Sequence, residues 1–298
     1  MSIRVNPNVL PDLVSSIEQA QQAAQTATQE LATGRSVNNL SDNPAAAASL
    51  VNNNALTSEN DQYLTNLGDL QGKFQAADSA LNTAVQLMTS AISLGTEGAT
   101  GTISAADRQV IAQQVQGLQQ QMLALSNTTY EGTYVFSGTD VTTQPFTQNN
   151  ASPSGVQYSG NSGVTNVSIG DEQSMQTNLP GDQIFANANG NIFQALNDLV
   201  NALNSGTGID AANEEVSQAF SQLTTQRVFY GNALNQVQNS QNYLNQEQVN
   251  LSALQNQLVG ADMTKVIADQ SQSQTAEQAA LSATAQILSL PTLLTYIK

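Results

Sequence analysis

The sequence predicts a mainly α fold: long antiparallel coiled-coil-like helical rods built from both chain ends, with a small inserted β-rich domain. Three observations carry this expectation. Apolar residues recur at alternating steps of three and four in four long stretches, the spacing that keeps one stripe facing a partner helix. That period vanishes between residues 132 and 190, where Gly, Ser, Asn, Thr and Pro dominate. Only 10% of the 298 residues are charged, against about 25% in ordinary soluble domains, so neutral polar side chains fill the faces that charges usually occupy.

The first stretch runs through Leu10, Leu13, Ile17, Ala20, Ala24, Ala27 and Leu31. Alanine takes three of its seven seam positions, and a helix with so little to bury is marginal alone in water; it is expected to fold against a partner, the last helix being the nearest. The second passes through Leu56, Asn60, Tyr63, Leu67, Leu70, Phe74, Ala77, Leu81, Ala84, Met88 and Ala91. Asn43-Pro44 supplies its start, a capping side chain ahead of proline at the first helical position. Gly95, Gly98 and Gly101 are read as the break before the third stretch. That stretch holds Arg108, Ile111, Val115, Leu118, Met122 and Leu125 behind a Ser104/Asp107 capping pattern. Gly68, Gly72 and Gly231 fall inside helical runs at a cost of roughly 1 kcal/mol each, through close approach of a neighbour or plain tolerance.

The middle reads as short β pieces at 133–136, 156–158 and 164–169, separated by Ser-Gly and Gly-Asn-Ser-Gly turns. A short helix follows, with Ile192, Leu196, Leu199 and Leu203 on one face and an end near Gly206. The longest seam then goes from Val216 through Phe220, Leu223, Arg227, Tyr230, Leu234, Val237, Gln241, Leu244, Gln248, Leu251 and Gln255 to Leu258. A helix over 210–259 would be roughly 75 Å long at 1.5 Å per residue. After Gly260-Ala261-Asp262, the final helix places Ile267, Gln274, Leu281 and Leu288 seven residues apart, and Pro291 interrupts it. The expected division is 1–40 with 260–298 as a terminal helical domain, 41–131 with 191–259 as a rod domain, and 132–190 as the β-rich insert.

Composition excludes much chemistry. The chain has no His, Cys or Trp, which removes the commonest general base, the commonest metal ligands, the thiolate nucleophile and any disulfide. Seven Lys and Arg against 23 Asp and Glu, a net charge of -16, oppose binding to nucleic acid or anionic membrane surfaces. Glu214-Glu215 and Asp171-Glu172 are adjacent and do not converge as an acid/base pair. Phosphate-cradling glycine motifs, an EF-hand loop and a Gly-x-Ser-x-Gly elbow are all absent. A glycoside hydrolase built on two acidic residues is the one enzymatic alternative the residue types permit, and no spacing favours it. No apolar run approaches membrane-spanning length, which also disfavours a secreted translocator. The start lacks the apolar segment of a cleaved secretory signal. No catalytic, cofactor-binding or metal-ligating residue is assigned, and no cofactor is expected.

The stretch LATGRSVNNLSDNP at 31–44 resembles the segment joining the first two helices in the flagellin superfamily. Gly34 and Arg35 match its turn; Ser41, Asp42 and Pro44 match the start of the second helix, with Asn43 where Asp is usual. In the middle, the ordered series EGTYVFSG at 131–138, QPF at 144–146, YSGN at 158–161 and PGDQIF at 180–185 resembles the hook-filament junction branch of that superfamily. The end, with Leu290, Leu293, Leu294, Tyr296 and Ile297, looks similar too. This resemblance implies a structural, non-catalytic subunit of the bacterial flagellum: a homo-oligomeric ring touching hook-associated protein 1 below and flagellin above. It also implies type III export with a cytoplasmic chaperone. A flagellin-like filament subunit is the alternative. On this reading Leu10, Leu13, Ile17, Leu31, Ile267, Leu281 and Leu288 are the expected assembly seam.

Overall fold

The computed structural model describes residues 9–39, 41–188 and 190–289. In chain order it gives α1 (Val9–Thr33), α2 (Pro44–Ala99), α3 (Ala105–Ser126), β1 (Thr129–Tyr130), β2 (Thr133–Tyr134), β3 (Phe146–Gln148), β4 (Val156–Tyr158), β5 (Asn166–Gly170) and β6 (Gln173–Gln176). There follow α4 (Gly181–Phe185), β7 (Ala186–Asn187), β8 (Gly190–Asn191), α5 (Ile192–Ser205), α6 (Ile209–Val259) and α7 (Met263–Ser289). The chain divides into two compact units, one from 1–59 with 247–298 and one from 60–246, so α2 and α6 each contribute to both. The opening residues and Pro291 lie outside the described residues.

In the 60–246 unit the heptad pattern becomes the core. Leu67, Phe74, Ala77, Leu81, Ala84, Met88 and Ala91 of α2 are fully buried, as are Val216, Leu223, Tyr230 and Val237 of α6. The Phe74 ring meets Tyr230 edge-on at 5.9 Å between centroids, an arrangement that the quadrupoles of two aromatic rings favour. Gln71 accepts from Gln241 Nε2 at 3.3 Å, and Asp78 receives a forked pair from Arg227 at 2.8 and 3.2 Å. Both ion-pair side chains are about a third exposed, so the pair sets register more than it stabilises.

The glycines expected to end the second stretch do otherwise. Gly95 and Gly98 lie within α2, which continues to Ala99, and both are buried. A Cβ on Gly95 would run into the Asn213 side chain, and one on Gly98 into the Leu203 methyl group. These glycines let α6 and α5 approach the α2 backbone closely. Gly72 acts likewise against the Tyr130 ring, whereas Gly68 and Gly231 face open space. The turn itself falls at 100–104, and α3 starts where Ser104 accepts the Asp107 N–H at 3.1 Å and donates its hydroxyl to the Asp107 carboxylate at 2.6 Å.

The middle is a set of two-stranded antiparallel hairpins, β1–β2, β3–β4, β5–β6 and β7–β8. Strands β3 and β6 and helix α4 escaped the sequence reading, being too short to show a period. Their apolar side chains join the same core as the helices. Phe146 lies 5.5 Å from Phe185 and 5.4 Å from Phe193, and Phe136 lies 5.2 Å from Phe185. Asn127, at the end of α3, holds the Phe146 main chain from both sides, accepting its N–H at 2.9 Å and donating to its carbonyl at 2.8 Å. Helix α5 buries Ile192, Leu196, Leu199 and Leu203 as expected, and ends on Gly206 in the left-handed region at φ 74°.

Candidate assembly surface

The residues singled out from the sequence gather in the terminal unit, where α1 packs along α7. On α1 the expected seam faces inward: Ala20 and Ala27 are buried, and Leu13, Ile17, Ala24 and Leu31 are half-buried. On α7 the inward face differs from the expected one. Val266 and Ser273 are buried, with Gln270, Glu277, Ala280 and Thr284 half-buried beside them. Ile267 and Leu281 point outward, 56% and 50% exposed. Their seven-residue spacing does place them on one side of the helix, but that side is not the one covered by α1. Across the pair, Gln21 donates to Glu277 at 2.9 Å and Gln270 donates to Thr28 at 3.3 Å. Leu10 and Leu288 occupy the helix backbones, and their side chains lie outside the described ones.

A similar exchange occurs where α2 and α6 enter this unit. Leu56, expected in the seam, is 44% exposed, while Asn53 is buried with its Nδ2 donating to the Leu251 carbonyl at 3.1 Å. The apolar side chains Val51, Val249 and Leu254 are also turned to solvent here. Asn53 lies one heptad before Asn60 and extends the expected stripe, its amide reaching a main-chain carbonyl across the pair.

The turn motif builds the corner of the unit. Gly34 takes φ +69° after α1, a conformation open to glycine at little cost. Its carbonyl accepts from Ala261 N–H at 3.0 Å, and Ser36 N–H donates to Val259 O at 2.8 Å. With the bridge between Arg35 and Gly260, these bonds join the α1–α2 corner to the α6–α7 corner. Ser41 hydrogen-bonds Asp42 at 3.4 Å, and the Asn43 side chain caps α2 by accepting the Ala46 N–H at 3.1 Å, with Pro44 at the first helical position. Asp262 caps α7 in the same way through Thr264 N–H at 3.0 Å.

Asp42 closes the loop by accepting the Asn39 and Asn38 N–H groups at 2.7 and 3.0 Å. Those bonds hold its carboxyl below the usual carboxylate range. A depressed folded-state pKa contributes stability that is present above the unfolded value and is lost as pH falls through the folded one. Asp42→Asn is therefore expected to weaken the acid-side dependence of the terminal unit's melting and leave the rest of the profile in place. Thermal melts across the acid range check this, and identical acid profiles for the two proteins would contradict it.

Among the described residues no group of three or more acidic side chains is placed to hold a metal ion, and no helix is long and apolar enough to cross a membrane. Burial pushes the Tyr158 phenol up to about 12, helped by the Asp182 charge. Its hydroxyl donates to Asn161 O at 2.9 Å, a bond that organises the loop.

Two helical ends folded into one unit, with a hairpin-rich middle between them, define a class that sequence comparison confirms. The bacterial flagellin N-terminal helical region matches residues 9–141 and the C-terminal helical region matches 213–297. The chain belongs to the flagellin superfamily. Within it, the chain is similar to flagellar hook-associated protein 3 of Escherichia coli, 25% identical over 281 residues that cover 86% of this chain and 87% of that protein. Two solved structures share the fold. A flagellar hook-associated protein from Vibrio parahaemolyticus aligns at a TM-score of 0.67 and 18% identity, covering 74% of this chain and all of that one. The flagellar junction protein of Legionella pneumophila aligns at 0.61 and 14%, covering 71% and 100%. The chain is accordingly a structural component of the bacterial flagellum, serves motility and works among other flagellar proteins.

Proposed function

We propose that this chain forms the junction between hook and filament as a ring of like subunits, held by packing of the terminal helices. The supporting observation is the terminal unit itself: family-matched segments from both chain ends share it, and Ile267, Leu281, Val51 and Val249 face solvent there. Isolated exposed apolar residues are ordinary, but several in one thin helical unit suit burial against neighbouring copies. In this reading Leu13, Ile17 and Leu31 hold the unit's own helices, and Ile267 and Leu281 meet the next subunit. Hook-associated protein 1 and flagellin are the neighbours below and above, and a cytoplasmic chaperone accompanies export by the type III route. The role is structural and not enzymatic, in keeping with a sequence that lacks His and Cys.

A deletion strain viewed by electron microscopy tests the reading. Hooks without filaments, with flagellin shed into the medium, are expected. Full-length filaments in that strain would overturn it, and a purified chain that polymerised alone into long filaments would favour a filament subunit instead.

A further inference from the structure

Oxidation has few places to act in this chain. It contains no Cys and no Trp, and five Met, so a mild oxidant that attacks sulfur meets only thioethers. Met88, Met122 and Met175 are 0%, 0% and 5% exposed within the 60–246 core, where apolar neighbours wall off the sulfur. Met263, the first residue of α7, is 41% exposed. Among the described methionines it is the one that solvent reaches freely. Met1 lies outside the described residues.

Its place on α7 gives that exposure a consequence. Leu281 follows Met263 by eighteen residues, roughly five whole turns at 3.6 residues each, so the two stand on one line along the helix. Ile267 is one turn further on, about 40° round the axis. All three turn away from α1, at 41%, 50% and 56% exposure for Met263, Leu281 and Ile267. We propose that Met263 is an oxidation site that controls whether this face can be covered, an inference resting on the reading in which Ile267 and Leu281 meet the next subunit. In the free chain the thioether sulfur attacks one oxygen of hydrogen peroxide. The S–O bond forms as the O–O bond breaks, the proton of the transferred oxygen leaves with the departing hydroxide as water, and the sulfur gives up two electrons to the peroxide. The product is a sulfoxide, polar where the thioether was apolar. On an exposed side chain that change costs the fold little. Against a neighbouring subunit it places an unpaired polar oxygen in an apolar contact, which is unfavourable. A copy once assembled shields the sulfur and escapes the reaction.

The test begins with the purified full-length chain in dilute hydrogen peroxide, followed by residue-resolved mass spectrometry. Met263 is expected to convert at least about tenfold faster than Met88, Met122 or Met175, with circular dichroism unchanged. In intact flagella the same treatment should convert Met263 about tenfold more slowly than in the free chain. A deletion strain then carries either Met263→Gln, a polar stand-in for the sulfoxide, or Met263→Leu, apolar and unable to be oxidised. Both keep Met1, so any effect of that residue is common to the pair. Met263→Gln should lower the number of filaments per cell several-fold, and Met263→Leu should match wild type. Conversion of Met263 no faster than that of the buried methionines would overturn the inference. So would equal conversion in flagella and free chain, or equal filament numbers in the two variants. The Ile267→Gln, Leu281→Gln double variant separates this failure from failure of the junction reading. Lost filaments there would keep the packing of this face and remove only the role of Met263, whereas full filament numbers would remove both.

Discussion

Removing residues 1–33 is expected to leave the melting of the 60–246 unit unchanged while abolishing incorporation into flagella. Helix α1 belongs to the other unit and packs along α7. Its buried residues are the alanines Ala20 and Ala27, with Leu13, Ile17 and Leu31 only half-buried. So small an apolar surface cannot hold a helix independently, and nothing in the 60–246 core depends on it. That core has its own fully buried residues, from Leu67 to Met88 on α2 and from Val216 to Val237 on α6. Circular dichroism and thermal melting of the truncated chain check the first half of the expectation, and electron microscopy of flagella checks the second. A truncated protein whose main transition collapses, or one that still supports filaments, would contradict it.

The opposite outcome is expected at Phe146. This ring is 1% exposed and meets Tyr158 at 4.9 Å, Phe193 at 5.4 Å and Phe185 at 5.5 Å. Truncating a buried phenylalanine costs about 3–5 kcal/mol through lost transfer energy and the cavity left behind. Phe146→Ala should therefore lower the main unfolding transition by that amount in denaturant titration, with the hairpins and the helices losing stability together because they share one core. Tyr243→Ala is the matching control, since that ring is 68% exposed and its loss should fall within about 0.5 kcal/mol. Equal effects at the two sites would show that the aromatic cluster is not the centre of this unit.

Legibility in the sequence tracked the length of each element. Seams of five or more apolar residues, as in α3 and parts of α2 and α6, could be read directly, because an error in one position is outvoted by its neighbours. The capping residues Asn43 and Ser104, the turn at Gly34 and the stop at Gly206 could also be read, since each acts on main chain within a few residues of itself. The three-residue β4 was read at 156–158, but other strands of two to four residues, such as β3 and β6, were not: a two-residue period needs more repeats than they offer, and Phe146 is fixed by Asn127, nineteen positions away.

The candidate assembly residues show the same boundary. Sequence spacing determined that Ile267 and Leu281 share a side of α7, because 3.6 residues per turn is a local property of the helix. Which side α1 would cover was decided by tertiary structure, which buries Val266 and Ser273 instead. The exposure of Leu56 beside buried Asn53 has the same origin, an amide reaching a carbonyl on a helix almost two hundred residues away in the chain. So too with Gly95 and Gly98, glycines that interrupt a helix on sequence grounds but here admit Asn213 and Leu203. The sequence by itself determined where helices run, where they stop and which residues share a face. Only the tertiary structure decided which face is covered, because burial is a property of two surfaces and a periodic pattern describes one.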